Sequence, residues 1–229
     1  MALISWGSLV LMALPLVMLG VVMARWGFSV KPLGVASVRM VLQLLAIGYV
    51  LVFLFEAPNV WVSVAVFSVM LGASTLIAKR HLKTCGARSF SALLVSIALA
   101  SSGMLALVMH VIGTTPWYHP QSFIPLAGMI VAASMNALSL YAERLASERE
   151  NHPFDVARNS AFGASLIPQF NSFLAVGLVS LPGMMTGQIL SGVSPMVAVR
   201  YQIVVMVMVL CTAGFSVVLY TFFSQKLEG

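Results

Sequence analysis

Inside an apolar helix a carboxamide offers a hydrogen-bond donor and an acceptor where lipid supplies neither. This sequence places such groups at Gln43, Asn136, Gln169, Asn171, Gln188 and Gln202, all within or beside long apolar runs. The densest interruption is Ser180–Gly192, SLPGMMTGQILSG, where Pro182-Gly183 reads as a helix end and Met184, Met185, Thr186, Gly187 and Gln188 follow it. Main-chain groups freed by such a break cannot face lipid, so the segment must pack in protein or line a water-filled cavity. A broken or re-entrant element is one reading; an exterior loop with a glycine turn is the other. Any one of these carboxamides serves equally as an interhelical hydrogen bond, and it is their concentration in a few spans that suggests a polar pathway.

Several other chemistries lack their residues. The six acidic residues, Glu56, Glu143, Glu148, Glu150, Asp155 and Glu228, all fall in loops or tails, whereas transporters driven by protons or sodium usually bury carboxylates in mid-membrane. No G-x-x-x-x-G-K-[ST] run exists, so the chain has no P-loop for ATP. Energy for pumping would come from a separate subunit. Fifteen methionines, among them Met129, Met135, Met184, Met185, Met206 and Met208, invite a soft-metal reading, but methionine is also ordinary filler in apolar helices. Ferrous iron prefers imidazole or carboxylate; His81, His110, His119 and His152 are scattered with no paired spacing, so no metal ligands are assigned. Cys85 and Cys211 show no ligand spacing and lie on different segments, which argues against a disulfide. An intramembrane serine protease would need Ser165 of the GASL stretch together with His110, and that stretch lacks both a small residue after the serine and clear oxyanion donors.

The elements that must position these groups are membrane spans. The chain of 229 residues is 60% hydrophobic and 8% charged, far from the quarter or so charged residues of a soluble domain. Windows of about 20 apolar residues occur near 4–24, 38–55, 60–78, 90–112, 123–142, 160–181 and 200–223, which predicts an all-α integral membrane protein of about seven spans forming one permease domain over 1–229. The first window has no basic region before it and no cleavage site, and reads as a retained span. Eleven of the twelve basic residues, all but Arg200, fall in alternate loops or the tail, so those loops are cytoplasmic, the N-terminus outside and the C-terminus inside. The net charge of +6 thus encodes topology and implies no nucleic acid.

Arg39 and Gln43 lie one turn apart and share a face, as do Gly128, Ala132 and Asn136, a small-residue stripe ending in an amide. Pro168 should bend its helix and expose Gln169, Asn171 and Ser172 around the kink. Arg200 stands beside Tyr201 and Gln202 at the head of the last span, where it either snorkels to the interface or holds an anion or carbonyl at a cavity mouth.

The stretches IPLAGMIVAASMNALSL (124–140), LIPQFNSFLAVGLVSLPGMMTGQILSGVSP (166–195) and AVRYQIVVMVMVL (198–210) closely resemble the FetB-type permease family, with weaker similarity in VRMVLQLLAIGYVLVFLF (38–55). The resemblance implies the membrane subunit of an ABC transporter in a bacterial inner membrane. It would work as a homodimer with a separate ATPase, bind ATP only through that partner, and export a metal such as iron. Plant relatives are tied instead to aluminium tolerance and UDP-glucose. Gln43, Asn136, Gln169 and Asn171 would line the substrate path with Pro182–Gln188, Tyr201 and Gln202. Glu143, Arg144, Glu148, Arg149, Asp155 and Arg158 would meet the ATPase, their alternating charges continuing the fifth helix until Asn151-His152-Pro153 breaks it. Family members generally carry a longer stretch here than the 143–164 of this chain. That shortening keeps an ATP-independent channel or facilitator as the alternative.

Overall fold

The computed structural model describes residues 5–56, 59–82 and 87–228. Among them run nine α-helices: α1 (Trp6–Leu11), α2 (Ala13–Arg25), α3 (Lys31–Glu56), α4 (Val60–Ala78), α5 (Ala87–Ile112), α6 (Pro120–Glu148), α7 (Phe154–Ala175), α8 (Gly183–Leu190) and α9 (Pro195–Glu228). Lys83 and Cys85, on which the second basic loop and the disulfide question turn, lie outside the described residues, as does Ala57-Pro58. The chain forms two compact units, Met1–Ala57 and Pro58–Gly229.

In the first unit, Ser5 caps α1 by accepting the Ser8 N–H at 3.1 Å. Helix α2 ends in a paired turn: Phe28 N–H reaches the Met23 carbonyl at 2.9 Å and Gly27 N–H the Ala24 carbonyl at 3.1 Å. Gly27 takes φ +79°, the left-handed value this closure needs. The chain then turns so closely that a Cβ on buried Gly20 would stand 3.3 Å from Val30. Otherwise α2 and α3 present apolar side chains on nearly every face, as single spans immersed in lipid do.

The second unit is a packed bundle. Its interior interleaves large side chains such as Leu93, Ile97, Leu126, Ile130, Leu138 and Tyr141 with Ala92, Ala100, Ala127, Ala133, Ala137, Ala161 and Ala213, and Ser63, Ser74, Ser96, Ser101, Ser134, Ser165 and Ser216 are buried beside them. Lipid tails are as apolar as leucine, so helices associate in a bilayer by close approach, and small residues permit it. The buried hydroxyls mostly turn back on their own helices: Ser96 to the Ala92 carbonyl at 2.6 Å, Ser165 to Phe162 at 2.7 Å, Thr212 to Met208 at 2.7 Å. They are satisfied without water and mark packing. Ser63 instead donates to the Tyr118 carbonyl at 2.8 Å, tying the start of α4 to the loop before α6.

Among the described residues six helices are long and apolar enough to cross a membrane: Gly7–Arg25, Lys31–Phe55, Val60–Ala78, Ser89–Ile112, Pro120–Glu148 and Pro195–Gln225. The remaining expected span, the sixth at 160–181, corresponds to α7, which begins and ends six residues earlier. At 22 residues it is about 33 Å long, enough to cross, but Arg158, Asn159, Gln169 and Asn171 dilute its apolar character. Its neighbours require the crossing. Near its start Arg158 and Phe162 face Val218 and Thr221 late in α9; near its end Phe173 and Val176 face Val199 and Gln202 early in α9. The two helices therefore run antiparallel along most of their length. The result is an all-α, multi-pass membrane protein.

Candidate functional site

The chain leaves α7 at Val176, not at Pro182. Gly177 adopts φ +82°, the Val176, Leu178, Val179 and Ser180 amides fold back onto Ser172 or Ala175 carbonyls, and Gly177 N–H meets Ser180 O at 3.0 Å. Pro182 opens a helix, the role its fixed φ and missing N–H suit, instead of ending one. Helix α8 closes with the Val193 amide on the Gln188 carbonyl and the Gly192 amide on Ile189, both at 3.0 Å, with Gly192 at φ +95°. The expectation of unpaired main-chain amides across Pro182–Gly192 is thereby corrected. The local sequence satisfies most of them within a short helix, and α8 packs on α9 instead of lying free.

A cavity stands on each side of that break. One, of about 310 Å³, lies between the end of α7, α8 and the start of α9, and Met185, Gln202 and Met206 are among its lining residues. The other, about 440 Å³, is lined by Asn171, Ser172, Ala175, Val176, Ser180, Pro182 and Met206. Val176 and Met206 border both. At the opposite end of the same helix pair a third cavity of about 350 Å³ is bounded by Arg158, Asn159, Phe162, Val218, Thr221, Phe222 and Gln225.

Two side chains of the bundle, Thr114 and Gln202, carry a buried oxygen with no hydrogen-bond partner among the described residues, and Gln202 is the one beside these cavities. It is 6% exposed, and among the described residues its Oε1 has no hydrogen-bond partner. A buried acceptor left unpaired costs about 1–3 kcal/mol, in contrast to the self-satisfied serines. The remaining expected path residues are dispersed. Asn136 is exposed on α6, along the outward stripe of Ala132 and Leu140, and Gln169 is half-buried on α7. Gln43 lies with Arg39 along a groove on α3 of the first unit, as their spacing implied. On α8, Gly183 and Gly187 are exposed, while Met184, Thr186 and Gln188 are half-buried, with Thr186 Oγ1 donating to the Pro182 carbonyl at 3.0 Å. Tyr201 is half-buried and Arg200 exposed. Pro168 sits inside α7 with Asn171 and Ser172 exposed beyond it. Met206 was passed over as packing, although its place four residues after Gln202 puts both on one face of α9.

The basic hairpin is a compact charged elbow. Helix α6 continues to Glu148 and α7 starts at Phe154 with Asp155 in its first turn. Glu148 gathers Arg144, His152 at 3.6 Å and the Ser160 hydroxyl at 3.0 Å. Arg158 pairs with Asp155 at 3.0 Å, and the Arg149 and Arg158 guanidinium groups stand 5.5 and 5.9 Å from the Phe154 ring centre. Glu143 is exposed. Ser165 donates into its own helix, whereas His110 borders a cavity of about 630 Å³ with Thr114, Trp117 and Phe123, so no serine–histidine pair is assembled. Among the described residues no three His, Cys, Asp or Glu side chains are grouped to hold a metal ion.

A helical bundle sealed by alanine and serine, with cavities along one helix seam, defines a multi-pass integral membrane protein. The chain belongs to the uncharacterised protein family UPF0014, whose profile it matches over residues 6–163 and 148–227, two stretches that overlap in the charged hairpin and the start of α7. It is 36% identical to "UPF0014 membrane protein slr1647" of Synechocystis over 81% of this chain and 78% of that protein. Against "UPF0014 membrane protein YjkA" of Bacillus subtilis it is 33% identical, covering 82% and 81% of the two chains. Against the "Probable iron export permease protein FetB" of Escherichia coli it is 28% identical, covering 82% and 78%. No solved structure matches it.

Proposed function

We propose that this protein is the membrane-spanning permease subunit of an ABC transporter in a bacterial inner membrane, driven by a separate ATPase, and that its substrate path follows the α7–α9 seam. The observation that carries this reading is the placement of cavities at both ends of that one helix pair, with a buried, unpaired carboxamide at one of them. Asn171, Pro182, Met185 and Gln202 line the path, and the rest of α8 with Tyr201 flanks it. Closure of two partner ATPases would tilt the α6–α7 elbow, from Glu143 to Arg158, and open one end of the seam while closing the other. Lipid offers no hydrogen bond to the exposed carboxamides Gln43 and Asn136 or to the half-buried Gln169, so a homodimer that covers them belongs to the proposal. The name of the Escherichia coli relative makes export of iron the first cargo to test.

The test is co-purification with an ATPase subunit, followed by metal flux in liposomes with and without ATP. ATP-dependent flux that Asn171→Leu abolishes supports the reading. Flux that proceeds unchanged without any ATPase identifies a facilitator.

A further inference from the structure

A cavity of about 630 Å³ lies outside the α7–α9 seam, between α4 and α5 and against Phe123 of α6. Along α5 and its last turn the wall is Ser102, Leu105, Ala106, Met109, His110 and Gly113, positions three and four apart that share one face of the helix and extend about 16 Å along it. Helix α4 contributes Val64 and Phe67, and the loop after α5 contributes the half-exposed Trp117, whose ring centre stands 6.0 Å from that of Phe123. No lining residue is an Asp, Glu, Lys or Arg. The cavity starts at the end of the bundle opposite the charged elbow and reaches the middle of the Ser89–Ile112 span.

The size and chemistry of this space select its occupant. The hydrocarbon of a bilayer is about 30 Å thick, so a wall about 16 Å long, running from an interfacial tryptophan to mid-span, matches the depth of one leaflet. Spread over that length, 630 Å³ is a mean cross-section of about 40 Å². A helix with its side chains is about 10–12 Å wide and needs about 80 Å² or more, so a span of a second copy or of a partner does not fit inside. Each buried water needs about two to four polar partners, which this mainly aliphatic and aromatic wall does not supply, and an ion would enter with no counter-charge. Left void, the lining forfeits its dispersion contacts. A flexible acyl tail is slender, needs no hydrogen bond and is already at hand, because Val64, Ala106 and Trp117 of the wall are exposed at the surface that faces lipid.

We propose that this cavity holds an acyl tail of a phospholipid from the leaflet away from the charged elbow, one lipid per chain, with the headgroup at the level of Trp117. The site stands or falls independently of the α7–α9 path. The full-length protein carrying Trp6→Phe, Trp26→Phe and Trp61→Phe, in which Trp117 alone fluoresces, is delipidated in a rigid steroid-based detergent that has no flexible tail to compete. It is then titrated with phosphatidylcholine brominated near the top of its acyl chains, whose zwitterionic head keeps the net charge of +6 from drawing it in. Quenching should saturate at one lipid per chain, and native mass spectrometry should show the same single adduct. A protein that keeps only Trp61, which is exposed and outside the lining, should show quenching that rises with lipid without saturating. Ser102→Leu with Ala106→Phe, which fills the cavity from α5, should abolish the saturable phase, whereas Leu107→Phe, exposed on α5 outside the lining, should leave it intact. If the double variant does not elute as the wild type does, Ala106→Phe alone, at one exposed position, carries the same test. Saturable quenching retained in a correctly folded, filled variant overturns the proposal, as does quenching of Trp117 that never saturates. If filling the cavity instead turns a dimer into a monomer that keeps its lipid, a second copy covers this face and the acyl site falls.

Discussion

Gln202→Leu should make the protein more stable and less active. In the structure the side chain is 6% exposed and its Oε1 is unpaired among the described residues. An acceptor in that state carries a desolvation cost of about 1–3 kcal/mol, and a leucine of similar shape removes it without opening a void. Unfolding of the purified variant by a denaturing detergent should therefore require about 1–3 kcal/mol more free energy than the wild type, provided no metal is present. Flux in liposomes should fall by at least about tenfold, the trade between stability and function expected where a polar group is buried for a ligand. The two readouts move in opposite directions, which a residue serving only as helix glue would not produce. A variant that loses stability refutes the reasoning, because Oε1 would then have been gaining a bond that Leu cannot make. A stabilised variant with full flux would leave the acceptor's cost real but detach it from transport.

Other perturbations probe the remaining parts. Glu148→Ala removes the acceptor shared by Arg144, His152 and Ser160; unfolding should show a loss of about 1–2 kcal/mol, discounted because Arg144 is half exposed, and pull-down should show weaker capture of the ATPase subunit. Gly192→Ala finds open space for its Cβ but must hold φ +95°; it should cost about 1–2 kcal/mol and raise hydrogen exchange across α8 with little change elsewhere. Ser134 is fully buried where α5 and α6 meet, 3.5 Å from the Ser101 hydroxyl. Ser134→Leu should overpack that contact by about 1–3 kcal/mol or more, whereas Ser134→Ala should stay within about 1 kcal/mol by the same unfolding assay.

Much of the architecture was legible in the chain because hydropathy and charge act locally. A run such as Val60–Ala78 declares a span by length and composition alone. The charged elbow was equally readable, since Asn151-His152-Pro153 stops one helix and Asp155 favours the start of the next, as α6 and α7 show. The bounds of α7 were harder. Val176–Leu181 is apolar enough to pass for helix, and what ends α7 is the left-handed Gly177 within a tight turn, a conformational preference that hydropathy does not register.

By itself the sequence determined that the chain resides in a bilayer, roughly where its long apolar helices run, and which of its loops carry positive charge, because each of these follows from the transfer energy or conformational bias of neighbouring residues. It could not rank one carboxamide above another, since Gln202, Asn136 and Gln43 have the same chemistry and similar neighbours along the chain. Only tertiary packing separated them: antiparallel contact with α7 and the seating of α8 bury Gln202 beside two cavities, while Asn136 and Gln43 remain exposed. Burial and the lack of a partner are properties of the groups that surround an atom in space, and hydropathy along the chain does not say how the three successive helices α7, α8 and α9 pack against one another.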